Sequence, residues 1–258
     1  MATYPFRTAL VTGASSGIGE VIASMLAEAG VATVVVARRA DRLHAFADRY
    51  PGTEVVVADL NDPAGLDRVA ERIADPTRPI DLLVNNAGFG SSGMFHELDP
   101  DRLDLEIGLN VAALTRLSHA ALAAMVPRRR GWLLNVSSIA GFQPAPRLAV
   151  YAATKAYVTS LTESLHEEVG DAGVHVTALC PGLTKTEFQS VSNTANYADR
   201  FPGLVWTGPE QVARTGLDGV VANRTIAVPG LQYQVMSTVT NMTPRWLRRR
   251  VSSLVQRA

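Results

Sequence analysis

The chain has 258 residues, 47% of them hydrophobic and 19% charged, which is enough apolar surface for a buried core and unlike a disordered composition. Lys plus Arg equal Asp plus Glu at 24 each, which argues against nucleic acid as a partner, and the single Cys180 excludes an intrachain disulfide framework. No run approaches the ~18 apolar residues of a membrane span, and "MATYPFRTALVTGASSG" enters a strand and turn too early for a signal peptide, so a soluble cytoplasmic protein is expected.

Taken in chain order, the segments alternate between strand and helix. "TALV" (8–11) is a short apolar strand running into a glycine-bearing turn, and "GEVIASMLAEAG" (19–30) carries the helix that follows. "ATVVVA" (32–37) is β-branched and apolar on both faces, as a buried parallel strand should be. A charged helix, "ADRLHAFADRY" (40–50), ends at Pro51-Gly52, and "EVVVADL" (54–60) supplies the third strand. After a further helix, "DLLVNNAG" (81–88) reads as strand and turn, and 100–126 keeps helical spacing until Pro127. "GWLLNVSS" (131–138) is strand-like, 151–169 helical, and "VHVTALCPG" (174–182) a strand closed by a Pro-Gly turn. This alternation predicts βαβ units: an α/β fold with a doubly wound parallel sheet and helices on both faces. No repeat, low-complexity tract or linker divides the chain, so residues 1–258 read as one domain.

Ligands of such sheets lie beyond the carboxyl ends of the strands. The first of these ends is "TGASSGIG", where Gly13, Gly17 and Gly19 let backbone approach a phosphate at a helix start. The second ends in Ala37, Arg38 and Arg39, where an NAD-preferring site tends to place an acid. A guanidinium at Arg38 instead suits a 2′-phosphate, while Arg39 reads as solvated. Asp59 in the third can accept from an adenine amino group. In the fourth, Gly88 leaves room for a ribose and Asn85 can tie neighbouring strands together. A separate signal is "VYAATKAYV" (150–158), because Tyr151 and Lys155 share a helix face, so phenol and ammonium can approach. Alone, that pair also suits a Tyr at a core edge beside a solvated Lys.

In order and spacing, "TGASSGIG", "NNAG", Asn110 in the long helix, "VSS" with Ser138, "YAATK" and "PGLTKT" resemble the short-chain dehydrogenase/reductase family over residues 6 to 230. Ser138 stands thirteen residues before Tyr151 and Lys155 four after it, as the family pattern has it. The resemblance implies a Rossmann-type sheet of about seven strands. It also implies an NADP(H) cofactor with NAD(H) as the alternative, a carbonyl or secondary-alcohol substrate, a homodimer or homotetramer, and no metal.

The catalytic tetrad it implies is Asn110, Ser138, Tyr151 and Lys155. Tyr151 exchanges a proton with the substrate oxygen and Ser138 holds that oxygen. Lys155 and the positive nicotinamide ring together bring the phenol down from its ordinary pKa of ~10, and Lys155 binds the nicotinamide ribose. Asn110 holds a water that extends the proton path. Ser137 and Ser138 point in opposite directions along a strand, and the family spacing selects Ser138. The implied cofactor contacts are Gly13, Ser15, Ser16, Gly17, Ile18 and Gly19 at the first turn, Arg38 at the second strand, and Asp59 and Leu60 at the third. Asn86, Ala87 and Gly88 follow at the fourth, then Tyr151 and Lys155, and finally Pro181, Gly182, Leu183, Thr184 and Thr186 after the sixth.

Residues 183–208 read as a substrate-side flap. There Phe188, Tyr197, Phe201, Leu204 and Trp206, with Phe142 and Phe89, either line a site for a hydrophobic substrate or pack a lid helix on the domain. The extension 231–258 places Val235, Val239 and Met242 near helical spacing before "RWLRRR". It suits a helix covering the protomer or a partner subunit, with peripheral membrane contact as the alternative. "PRRRG" (127–131) reads as a solvated helix end. A non-catalytic nucleotide sensor or scaffold stays open as a second function, since a fold does not prove chemistry; the intact tetrad favours catalysis.

Overall fold

Leu82, Leu83 and Val84 are all completely buried, although successive strand side chains point to opposite faces. Leu82 and Val84 join one apolar cluster with Ile22, Leu26, Val212 and Leu217, while Leu83 joins another with Val69, Ile73, Leu117 and Met125. A strand that is apolar on both sides needs helices on both sides, and each such side chain removed from water contributes about 1.5–3 kcal/mol.

The computed structural model of the chain describes residues 4–192 and 206–243. Seven strands run parallel: β1 (Thr8–Thr12), β2 (Ala32–Ala37), β3 (Glu54–Val57), β4 (Leu82–Asn85), β5 (Gly131–Val136), β6 (Val174–Leu179) and β7 (Ile226–Ala227). Their order across the sheet is β3-β2-β1-β4-β5-β6-β7. On one face pack α1 (Gly17–Glu28), α2 (Ala40–Arg49) and α8 (Pro209–Val221). On the other lie α3 (Pro63–Ala74), α5 (Leu114–Arg128) and α6 (Ala149–Val169), with α4 (Pro100–Ile107) leading into α5. Two short elements complete the site: α7 (Phe188–Val191) and α9 (Leu231–Met242). Strands β1 to β3 grow outward on one side and β4 starts on the other side of β1. The carboxyl ends of β1 and β4 therefore part around a crevice.

The helix expected to stop at Pro127 continues to Arg128. A proline in the last turn forfeits little, and the left-handed Arg129 (φ 50°) ends the helix instead. Between α4 and α5, Gly108–Ala113 forms a π turn that carries Asn110. The 29-residue stretch Pro100–Arg128 meets the length and hydropathy of a membrane span; α5 owes its apolarity to packing on α3, β4 and β5. "PRRRG" is not merely a solvated helix end. Arg128 donates to the Ile80 carbonyl at 2.7 Å, Arg129 to that of Asp171 at 2.8 Å and Arg130 to that of Pro5 at 2.5 Å. These arginines tie loops together at the amino ends of the strands, away from the crevice.

Candidate active site

The turn after β1 needs backbone that only glycine adopts readily. Gly13 and Gly17 hold φ at +66° and +60°, and a Cβ on Gly19 would come within 2.5 Å of the Gly13 carbonyl oxygen. Ser16 precedes α1 without a side-chain capping bond, so the first N–H groups of this twelve-residue helix face the crevice. The turn is pinned to β4 by Thr12, the first residue of "TGASSGIG". Its hydroxyl accepts from Asn86 N at 3.0 Å and Ala87 N at 3.1 Å, and Asn86 Nδ2 donates to the Thr12 carbonyl at 2.9 Å. Asn85 ties strands as its position suggested, donating to Asn135 Oδ1 and Ser118 Oγ, each at 3.0 Å.

One cleft of about 810 Å³ runs from this turn across the strand ends. Gly13, Ser15, Ser16, Gly17, Ile18, Arg38, Asp59, Leu60, Asn86, Ala87 and Gly88 line one part of it. Ser138, Tyr151, Lys155, Pro181, Gly182, Leu183, Thr184 and Thr186 line the other. Gly19 and Asn110 stand behind the wall rather than on it.

Arg38 reaches into solvent, with its side chain 71% exposed and Asp59 at 3.7 Å. Arg39, read from sequence as solvated, is held instead. Its guanidinium donates to Ser15 Oγ at 3.1 Å, to the Ser15 carbonyl at 3.2 Å and to Glu187 at 2.9 Å. It thus joins the first turn to the start of α7, and holds the Glu187 carboxyl below its usual range.

At the far end, α6 presents Tyr151 and Lys155 to the cleft. Ser137 turns its hydroxyl toward α6, bonding the Lys155 carbonyl at 2.8 Å, whereas Ser138 lies beside the phenol. Lys155 Nζ donates to the Val136 carbonyl at 2.8 Å and sits 5.7 Å from the Tyr151 ring centre. Asn110 is buried, donating to the Phe89 carbonyl at 2.8 Å and Thr154 Oγ1 at 3.1 Å.

Without the cofactor's charge, the electrostatics of the protein alone do not lower the phenol. Burial pushes the Tyr151 phenol up to about 12, with Ser138 lowering it and, in the alkaline range where they are ionised, Glu106 and Cys180 raising it. Burial likewise brings Lys155 down to about 8. The ammonium does not acidify the phenol in the cofactor-free protein, because it donates a hydrogen bond to the Val136 carbonyl and desolvation of a phenolate outweighs the rest. In the cofactor-free protein the phenolate of Tyr151, read as an ultraviolet difference against Tyr151→Phe, is therefore expected to appear only near pH 12. A midpoint at or below the ordinary ~10 would contradict this environment.

Of the aromatic residues expected to line the flap, Phe89 and Phe188 reach the cleft, and Phe188 lies 5.4 Å from the Tyr151 ring. Phe142 and Trp206 do not line it; Trp206 lies beneath the Lys185 ammonium at 5.9 Å. Tyr197, Phe201 and Leu204 fall outside the described residues, as does the tail from 244 to 258 with its arginine cluster. Helix α9 contributes Tyr233, Met236 and Thr240 to the cleft, while Val235 and Val239 are exposed. The Tyr233 hydroxyl accepts from Leu183 N at 3.1 Å, and its ring fills the space a Cβ on Gly182 would take.

Comparison with known proteins agrees with this geometry. The short chain dehydrogenase family model matches residues 7–196. An uncharacterized oxidoreductase of Staphylococcus epidermidis is 35% identical over 187 residues, spanning 72% of this chain and 81% of that protein. A short-chain dehydrogenase from Sphingobium yanoikuyae in complex with NADPH superposes with a TM-score of 0.83 at 32% identity, covering 92% of this chain and 94% of that one. The bulky-bulky ketone specific alcohol dehydrogenase of Comamonas testosteroni gives 0.79 at 30% identity, with 92% of each chain covered. A parallel seven-stranded sheet with this crevice and these relatives makes the chain an oxidoreductase of the short-chain dehydrogenase family.

Proposed function

We propose that the chain is an NADP(H)-dependent enzyme that moves a hydride between the nicotinamide and a bulky, apolar carbonyl or secondary alcohol, with Tyr151 as general acid and base. The observation that carries this reading is a single cleft with a glycine turn and Arg38 at one end and Tyr151, Ser138 and Lys155 at the other. The residues fit a dinucleotide. The uncapped start of α1 suits its phosphates, and Arg38 after Ala37 suits a 2′-phosphate that a carboxylate would repel. A Cβ at Gly88 would stand 2.8 Å from Asn110 Oδ1 and 3.6 Å from Lys155 Nζ, so only glycine lets this part of the cleft wall close onto Asn110.

In this reading the first turn (Gly13 to Gly19) holds the pyrophosphate, Asp59 and Leu60 border the adenine, and Asn86 to Gly88 with Lys155 hold the nicotinamide side. Pro181 to Thr184 and Thr186 border the carboxamide. The bound nicotinamide supplies or accepts the hydride. Ser138 holds the substrate oxygen and Tyr151 gives it a proton. A phenol still protonated at neutral pH starts in the right state for reduction. Lys155 fixes the phenol and restores its proton, and Asn110 holds the backbone at Phe89 so that this path keeps its shape. Phe89, Leu148, Phe188, Val191 and Met236 offer an apolar substrate wall. The NADPH bound by the Sphingobium relative and the bulky ketones of the Comamonas relative support both halves of the assignment. A homodimer or homotetramer in the cytoplasm accompanies it.

The test is NADPH oxidation, followed by absorbance, against bulky ketones, small ketones, aldehydes and diketones. The highest kcat/KM is expected with bulky apolar ketones. NADPH binding with no carbonyl consumed would overturn the catalytic reading, and a preference for small polar carbonyls would overturn the substrate class.

A further inference from the structure

Beneath the cleft, both carboxyl oxygens of Glu106, the Ser91 hydroxyl and Arg102 Nε are buried polar atoms without a protein hydrogen bond of ordinary geometry, the hydroxyl and N–H of Ser91 being the donors that approach the carboxyl. Glu106 is 0% exposed and Ser91 1%. Buried atoms of this kind are uncommon and costly, and call for ordered water or a function. Glu106 stands on α4 one turn before Asn110. Asn110 Oδ1 and Lys155 Nζ border the same small space beside Gly88, and α4, which carries Glu106, packs on α6, where Glu106 and Lys155 feel each other's charge. Arg102 does not neutralise the acid by direct pairing. Its NH2 group is bonded to the carbonyls of Gly90 at 3.1 Å and Val191 at 2.6 Å, and its guanidinium lies over the Phe89 ring.

We propose that Glu106 is a positioning residue for proton flow that acts through Lys155, returning a proton to Tyr151 after each reduction. This rests on the reading of Tyr151 as the acid. Once Tyr151 has given its proton to the substrate oxygen, Lys155 passes an N–H proton to the phenolate. The Glu106 carboxyl then gives its O–H proton to the Lys155 amine, through water held in the buried space between them. One O–H bond breaks at Glu106 for the one that forms at Tyr151, and a carboxylate replaces a phenolate. No electrons move, and solvent reprotonates the carboxylate.

The groups around Glu106 allow this. Burial raises its carboxyl above the usual range, against the lowering effects of Ser91, Arg102 and Lys155. Tyr151 and Lys155 face it from α6. Cys180, beyond β6, is kept neutral because burial pushes its thiol up to about 12.

Glu106→Gln keeps the shape and removes the acid. The variant is expected to retain its melting temperature, its NADPH affinity and its first-turnover hydride transfer. Its steady-state rate should fall roughly 10- to 100-fold, with an enlarged solvent deuterium isotope effect. In the cofactor-free variant the Tyr151 phenol should titrate at lower pH, since the charge of Glu106 holds it up. Glu106→Asp should recover part of the rate, and it carries the same comparison if the Gln variant does not fold. Equal losses in the first and later turnovers, no loss at all, or an unmoved phenol titration would overturn the proposal. Tyr151→Phe separates the two levels. If that variant still turns over, the acid role of Tyr151 fails; if it is dead while Glu106→Gln matches the parent, only the relay fails.

Discussion

Tyr151→Phe is expected to lower kcat by roughly 10²- to 10⁴-fold while NADPH affinity stays nearly unchanged. The expectation follows from what the substitution removes. The ring keeps its packing against Phe188 at 5.4 Å and its place near the Lys155 ammonium, and only the hydroxyl beside Ser138 is lost. A phenyl ring cannot give or take the proton, and the first turn, proposed to hold the phosphates, is untouched. Affinity by fluorescence titration and rate by NADPH absorbance report the two properties separately. Equal loss of both would make Tyr151 a structural residue and end its assignment as the acid.

Arg38→Ala should weaken NADPH relative to NADH by about 10- to 100-fold, the worth of a hydrogen-bonded charge. Its guanidinium is 71% exposed, with only a loose pairing to Asp59 at 3.7 Å, so it is available to a 2′-phosphate. That exposure favours the lower end of the range. Arg39→Ala should behave differently and weaken both cofactors alike, because its guanidinium is already given to Ser15 and Glu187. Paired binding titrations of the two variants decide the matter. If Arg38→Ala costs NADH as much as NADPH, the phosphate lies elsewhere; if Arg39→Ala separates the cofactors, Arg39 is the phosphate ligand.

The sheet was legible because its strands are apolar on both faces, as in "ATVVVA" and "GWLLNV", and because glycine turns mark where strands end. Residues brought together by one helix or one turn were legible too. Tyr151 and Lys155 share a face of α6, and Ser138 follows the end of β5. Contacts between distant segments were not. Arg39 meets Glu187 across 148 residues of sequence, and from its own neighbourhood it looks like any solvated arginine. Thr12, Tyr233 and Glu106 take their importance from what the fold sets beside them. At two residues, β7 is too short to carry a pattern. The weak pull of Lys155 on the phenol in the cofactor-free protein was not legible for a related reason. Helical spacing brings the ammonium near the ring, but the carbonyl of Val136 that captures it belongs to β5, and burial is a property of the whole fold.

The bridge from Ser15 through Arg39 to Glu187 fastens two borders of the cleft, the glycine turn and the start of α7, by side chains rather than by backbone. Both charged partners are close to half exposed, at 42% and 44%, so water competes for the tie and it can part and re-form without disturbing a single strand of the sheet.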